Sequence, residues 1–400
     1  MSPDMIGKPI GPRIGADPPR RNGMSPPDSQ SIRRVMLIDL NWRQTGYLAA
    51  AMHDAGIETL IVSTGRPDRI GLGHYCAQVK SPHYTSPQYV PYVREQINRF
   101  RPDCVIPLCE PLLELFWKLE PPCSPPIYPS TEPWQREIIL DRRRLYELAT
   151  AAGVPIPPWR PIETAADLDW AMGQFGFPLV IRGTSGFGGD QVRIVDSPHQ
   201  AQAAIEKLKK ISPKAPFAQA FIRGRRQSIG GVFVQGEMIR SFTQEVTEEH
   251  PPRTGPSTKI RTMNDKNLED QTRSLFGALR WSGIASADFI RNEEGVFVLM
   301  EVNPRPWGSI AVAERMGAQI CRTFAQLLAG KPIASEVAYE TGVECIVLEN
   351  FVLARRQDGV WSTLRALKLR DKWGCALAVP WRRPRLALHV VRWLYRALDH

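Results

Sequence analysis

Short apolar runs alternate with amphipathic stretches through the first third of the chain. Val35-Met36-Leu37-Ile38-Asp39-Leu40 reads as a buried strand, Gly46 to Ala55 as a helix ending at Gly56, and Glu58 to Val62 as a second strand. Strand, helix, strand in that order argues for a parallel sheet covered by helices. A further helix, Tyr89 to Phe100, leads into the apolar strand Asp103 to Leu108, with Glu110-Pro111 just beyond its carboxyl end. Ligands of open α/β sheets sit at such ends, so Asn41, Arg43 and Glu110 either face a bound substrate or serve as ordinary turn residues.

A Pro-rich connection, Glu120 to Pro133, separates this unit from the next. The helix opening at Asp141 stops before Gly153-Val154-Pro155-Ile156-Pro157-Pro158. Phe177 to Arg182 is then a short buried strand that emits one charge into Gly183-Thr184-Ser185-Gly186-Phe187-Gly188-Gly189. Such a glycine-rich turn lets backbone N–H groups approach phosphate oxygens without obstruction, although many such turns only close hairpins. The helix Ser197 to Lys210, a strand over Phe217 to Gly224 and a hairpin of Ile229–Gln235 with Glu237–Thr243 follow. Glu248 to Arg261 is polar and reads as a long irregular segment, a kind that is often functional. Leu268 to Trp281 is an amphipathic helix, and Ala311 to Met316 opens another.

Between those last two helices lies the stretch with the most chemistry. Apolar residues on either side of Asn292-Glu293-Glu294-Gly295 predict two strands hinged at a tight turn. An antiparallel pair brings Asp288 opposite the region of Glu301 and Asn303, and alternation sends the latter two to one face. Two carboxylates and an amide oxygen are hard donors suited to Mg²⁺, whose remaining positions substrate phosphates can fill. Arg305 adds a planar cation suited to phosphate. A plain surface hairpin is the alternative, but Pro304, Pro306 and Gly308 directly after the apolar run are an odd composition for one.

The string D-F-x(11)-E-V-N-P-R, from Asp288 to Arg305, resembles the metal-binding signature of the ATP-grasp superfamily, in particular its carbamoyl-phosphate-synthetase-like members of the carboxylate-amine ligase type. The resemblance spans about residues 32 to 335. It implies an α/β fold, with an N-terminal parallel α/β pre-ATP-grasp domain (32–128) followed by a two-lobed ATP-grasp module (129–335). A Pro/Gly-rich leader (1–31), expected to be disordered, and a basic C-terminal extension (336–400) flank these. By resemblance Asp288, Glu301 and Asn303 hold one or two Mg²⁺ ions, or Mn²⁺, against ATP. Arg142 and Arg182 stand where many relatives carry lysine, and Gly186, Gly188 and Gly189 form a phosphate lid. Gln219, Ala220, Phe221 and Ile222 form the adenine hinge. Gln227 occupies the place of a ribose-binding acid, a departure that puts nucleotide affinity in question. Lys259 or Arg261 would supply a cation to the reacting phosphate, together with Arg182 and Arg305.

Composition narrows the function classes. Four hundred residues, 43% apolar and 23% charged, suit two or three globular domains, and no run approaches the ~20 apolar residues of a membrane span. The N-terminus lacks a signal-peptide core, so a cytoplasmic location is expected. Seven cysteines (76, 104, 109, 123, 321, 345 and 375) show no metal-ligand spacing. The net charge of +10 first suggests nucleic acid, yet +8 falls in 351–400 and +3 in 1–34, leaving −1 between them. Nucleic acid is therefore not the expected partner; small carboxylate and amine substrates are, and a homodimer is compatible with the sequence. Arg385, His389, Arg392 and Arg396 share one face of an amphipathic stretch over 384–398, which suits peripheral membrane contact or docking onto the protein itself. The function implied is ATP-dependent joining of a carboxylate to an amine through an acyl phosphate. The alternative is a catalytically weak nucleotide-binding regulator.

Overall fold

The computed structural model describes residues 31–40, 44–119, 122, 124–129, 131–184, 191–211, 214–253, 255–335, 337–354, 384–385, 387–388 and 391–392. The expected leader, Asn41, Arg43 and most of 355–400 lie outside them, as do Gly186, Gly188 and Gly189.

The N-terminal unit comprises β1 (Arg34–Asp39), α1 (Gln44–Asp54), β2 (Glu58–Ser63), β3 (Ala77–Lys80), α2 (Tyr89–Phe100), β4 (Cys104–Pro107) and α3 (Glu110–Trp117). Its sheet runs β3-β2-β1-β4, all parallel, as the apolar runs and the helices between them dictate. The order reverses between β1 and β4, and the crevice beside such a switch point is where ligands of open sheets bind. Glu110, read from sequence as either substrate-facing or a turn residue, begins α3 there, with Pro111 in the first helical turn.

Two helices, α4 (Pro133–Ile139) and α5 (Arg142–Ala151), lead into a small lobe. It is built from β5 (Trp159–Pro161), α6 (Ala165–Phe175), β6 (Leu179–Arg182), β7 (Val192–Val195), α7 (Pro198–Ile211) and β8 (Phe217–Ala220). Its antiparallel sheet has the order β5-β8-β6-β7, with α6 and α7 packed on an apolar cluster that includes Leu179, Ile181, Leu208 and Ala218.

The large lobe is a six-stranded antiparallel sheet of β9 (Gly224–Val234), β10 (Glu237–Glu249), β11 (Ser257–Met263), β12 (Gly283–Asn292), β13 (Phe297–Asn303) and β14 (Glu344–Ile346), in the order β13-β12-β9-β10-β11-β14. Helix α8 (Lys266–Leu279) covers one face, capped by the Asp265 carboxylate, which accepts from the Asn267 and Leu268 N–H groups. Its Phe276 stacks on Phe233 of β9 at 4.0 Å between centroids. Helices α9 (Ile310–Met316) and α10 (Ile320–Leu328) join α1 and the other face in one apolar cluster. Strand β14 and the helix after it, α11 (Leu348–Ala354), lie past residue 335, yet β14 extends the large sheet by pairing with β11.

Two spans differ from expectation. The strand read over Phe217–Gly224 ends at Ala220, and Gly224 opens β9. The segment read as irregular over 248–261 narrows to 250–256, because β10 and β11 pair up to Glu249 and Ser257. Alternating polar side chains hid that pairing from a search for apolar runs. Among the described residues of 384–392, Ala387 is buried in the cluster of α1 and α10, and Arg392 Nε lies 3.5 Å from Asp68 Oδ1. This stretch therefore contacts the N-terminal unit. No helix of the described residues is long and apolar enough to cross a membrane.

Candidate active site

A cavity of about 460 Å³ opens between the two lobes and reaches the N-terminal unit. Hairpin β12–β13 forms its floor. Asp288 pairs in register with Glu301 and Ser286 with Asn303, so both acids and the amide emerge on the cavity face. Asn303 Nδ2 donates to Asp288 Oδ2 at 3.4 Å, and the Ser228 hydroxyl of β9 donates to Asp288 Oδ1. Glu301 takes two cations on a single oxygen, Oε2: Arg142 Nη2 at 3.4 Å and Arg182 Nη2 at 3.3 Å.

Local structure explains why those arginines converge. Arg142 begins α5 directly after Asp141, whose buried carboxylate accepts from the Arg143 N–H at 3.0 Å and pairs with Lys214 at 3.0 Å. The Arg142 N–H donates to the Thr184 carbonyl at 2.9 Å, which pins the start of α5 to the residues following β6. Arg182, the last residue of β6, is held by the Met300 carbonyl and the Tyr146 hydroxyl at 3.3 and 3.4 Å. Tyr146 in turn donates to Gln219 Oε1 and the Met300 carbonyl, both at 3.0 Å. One buried phenol thus ties α5, β6, β8 and β13 together.

The electrostatics are those of crowded charges. Burial, and next the Glu301 carboxylate, push the Asp288 carboxyl above the usual range. Burial acts the same way on Glu301, but Arg142, Arg182 and Arg226 outweigh it and hold its carboxyl low. Burial and then the Arg182 charge lower Arg142. Arg305 is raised instead: burial opposes its charge, but Glu110 overcomes that through a 2.6 Å pair. Several donors have nothing to bind. Arg182 Nε, Arg226 Nε and Gln219 Nε2 are buried without partners, and all three residues line the cavity. Unsatisfied buried donors cost about 1–3 kcal/mol each, so acceptor oxygens or ring nitrogens entering here would stabilise the site.

Most of the residues singled out from sequence meet in this cavity. Arg182, Gln219, Phe221, Ile222, Asp288, Glu301, Asn303 and Arg305 line it, and Arg142 reaches it through Glu301. Four do not. Gln227 is buried on the opposite face of β9, where its Nε2 donates to Glu245 at 3.2 Å. Lys259 and Arg261 share that other face, paired with Glu248 at 2.5 Å and Glu245 at 3.9 Å. Ala220 makes a backbone bond to Pro158 rather than lining the cavity. Sequence reading missed Arg226, Ser228, Arg253 and Gln44, which do line it. Period-two alternation along β9 would have found the first two, since Arg226, Ser228 and Gly230 share a face.

The donor set fits a hard divalent cation. Two carboxylates face each other with the Asn303 amide beside them, its Nδ2 on Asp288 and its Oδ1 accepting from Arg305 at 3.4 Å, and a cation between Asp288 and Glu301 would relieve the like-charge contact that, after burial, raises Asp288. Among the described residues no group of three or more His, Cys, Asp or Glu side chains gathers to hold a metal, so the third side-chain donor here would be the Asn303 amide.

Comparison with known proteins agrees with this geometry. The ATP-grasp domain model matches residues 139–309. The large chain of carbamoyl phosphate synthase from Ralstonia nicotianae is 24% identical over 306 residues, covering 72% of this chain and 27% of that one. The same protein from Thermotoga petrophila is 22% identical over 204 residues, 49% and 18% of the two chains. The chain thus spans about a quarter or less of the length of the curated relatives it matches. Among solved structures, the ADP complex of N5-carboxyaminoimidazole synthetase from Staphylococcus aureus superposes with a TM-score of 0.61 at 15% identity, covering 80% of this chain and 83% of the other. L-amino acid ligase from Bacillus licheniformis gives 0.58 at 17%, with 77% and 76% covered. With the hairpin acids, the paired arginines and the two-lobed sheets in the same molecule, residues 139–309 are similar to the ATP-grasp domain.

Proposed function

We propose that this protein is an ATP- and Mg²⁺-dependent ligase that activates a carboxylate as an acyl phosphate and joins it to an amine. The observation that carries the reading is the Glu301 carboxylate gripped by Arg142 and Arg182 and facing Asp288 across the hairpin. Buried donors on Arg182, Arg226 and Gln219 await acceptors that a nucleotide would bring. Val180, Ile194, Ile222 and Ile290 line the cavity with apolar surface suited to a flat base. The comparisons support the same reading, since the structural neighbours include an ADP complex of a synthetase and an L-amino acid ligase.

In this reading a carboxylate oxygen of the substrate attacks the γ-phosphorus. The new O–P bond forms as the bond to ADP breaks. Asp288, Glu301 and Asn303 would hold Mg²⁺, which would supply charge neutralisation on the phosphates. Arg142, Arg182 and Arg305 spread the remaining charge by position alone, as phosphoryl transfer requires. An amine then attacks the acyl carbon, the C–N bond forms, the C–O bond breaks and phosphate departs with its electron pair. The amine proton passes to phosphate or solvent, and no protein nucleophile is involved.

A second reading, a nucleotide-binding protein with weak turnover, draws on Gln227: in place of a ribose acid there is an amide turned to Glu245. An ADP-release screen over pairs of carboxylates and amines separates the two. The ligase reading expects release that requires both substrates and is lost in Glu301→Ala. Tight nucleotide binding with no release for any pair favours the second reading, and release unchanged in Glu301→Ala counts against both.

A further inference from the structure

A second surface, none of whose residues lines the cavity, forms where the described part of 384–392 meets the turn at 68–76. Three observations fix that seat. Ala387 and Leu72 are buried in one apolar cluster with α1 and α10. Arg392 Nε lies 3.5 Å from Asp68 Oδ1, and the same oxygen accepts from the Gly71 N–H at 3.0 Å, which holds the turn. Desolvation, and next the Arg385 charge, lower the His74 imidazole, whose ring stands 4.9 Å from that of His53 on α1.

The outward side of the same residues is apolar and basic. Leu388 is 39% exposed and Val391 45%, and helical spacing sets them side by side. Ile70, in the receiving turn, is 60% exposed. Arg66, Arg69 and Arg385 are exposed around them. Of the acids, Asp68 is buried against Arg392, and Asp54 stands beside His53 at 3.8 Å. A fixed seat thus holds three aliphatic side chains in water within a positive field, a combination that marks an interaction surface.

Charge and composition select the occupant. Residues 351–400 carry 11 Lys/Arg against 3 Asp/Glu, together with Trp361, Trp373, Trp381 and Trp393. Aliphatic, tryptophan and arginine side chains together suit the headgroup layer of an anionic membrane, where apolar groups enter the acyl boundary and cations meet phosphates. A nucleic acid would use the arginines but leave the aliphatics in water. A second copy of the chain, paired about a two-fold axis, would set this positive face against itself.

We propose that this face docks the protein onto an anionic phospholipid surface, with Ile70, Leu388 and Val391 entering the headgroup boundary and Arg69 and Arg385 on lipid phosphates.

The test is co-sedimentation of the full chain with vesicles of phosphatidylglycerol and phosphatidylcholine in equal parts, with pure phosphatidylcholine vesicles as the control. The protein is expected to pellet with the mixed vesicles and to stay in solution with the control, and high salt is expected to release part of it. Leu388→Asp combined with Val391→Asp is expected to lower the partition coefficient by roughly tenfold or more, because two aliphatic groups leave the boundary and two anions face the headgroups. Ile70→Asp, on a different element, is the second variant and is expected to lower it by a smaller factor. These side chains are exposed, so thermal midpoints matching the wild type are expected in both variants. Absence of pelleting with the mixed vesicles, equal pelleting with the control, or partition unchanged in both variants overturns the proposal. So does tighter binding to a DNA duplex than to the mixed vesicles, or a dimer in sedimentation velocity that the double variant splits, which would give the face to a second copy.

Discussion

Replacing Gly230 with alanine tests how the cavity wall is built. Gly230 lies in β9 directly beneath Trp307, and an ideal Cβ would sit 2.5 Å from two ring carbons of the indole and 2.6 Å from a third. Carbon atoms pack at about 3.5–4.0 Å, so the shortfall is about 1 Å against a rigid ring. The indole must swing into the cavity or β9 must shift. Overpacking of this kind costs about 1–3 kcal/mol, and each kcal/mol lowers the midpoint of thermal unfolding by roughly 2–4 °C in large domains. Calorimetric scans of Gly230→Ala are expected to show that drop. The same substitution in a Trp307→Leu background should cost far less, because no ring remains for the added methyl to strike. Equal losses in the two backgrounds would refute the packing argument, as would an unchanged midpoint in the single variant.

Two further outcomes follow from groups near the small lobe. Asp141→Ala removes the cap of α5 and the Lys214 pair, at a cost of about 1–2 kcal/mol, and loosens the first turn of the helix that carries Arg142. Nucleotide titration should show weaker binding than the wild type, and unchanged affinity would mean that the cap does not position Arg142. Asp167 accepts from Arg160 at 2.8 Å and from the Thr164 N–H at 3.0 Å, which holds its carboxyl down to about 2. A depressed carboxyl contributes stability that is present above its unfolded value and lost as pH falls towards about 2. Denaturant unfolding between pH 4 and about 2 should therefore be less steeply pH-dependent in Asp167→Asn, and identical slopes would contradict the assignment.

Much of this fold was legible in sequence because the apolar periods were clean. Buried runs such as Val35–Ile38 can be nothing but interior strands, and Tyr89–Phe100 keeps the helical period from end to end. The metal-site hairpin was legible for a different reason: Asn292–Gly295 fixes the turn, and the turn fixes which acid faces which. Where reading failed, the cause was polarity on both faces. The ends of β9, β10 and β11 carry Arg225, Gln227, Glu245, Lys259 and Arg261 in cross-strand ion pairs and hydrogen bonds, so alternation is invisible to an apolar count. Gln227, Lys259 and Arg261, which the resemblance places at the nucleotide, occupy the opposite face. Gln44 and Asn350 could not be found locally, because their meeting at Gly308 depends on the contact between α1, residues 306–309 and α11.

The central claim is that Asp288, Glu301 and Asn303 hold a divalent cation against a nucleotide. Electron paramagnetic resonance of Mn²⁺ titrated into the protein with ADP measures it directly. The account predicts that the free Mn²⁺ signal falls with one or two ions bound per chain when ADP is present, and that Glu301→Ala abolishes most of this uptake. Mn²⁺ uptake of equal strength in Glu301→Ala, or no uptake by the wild type in the presence of ADP, would contradict it.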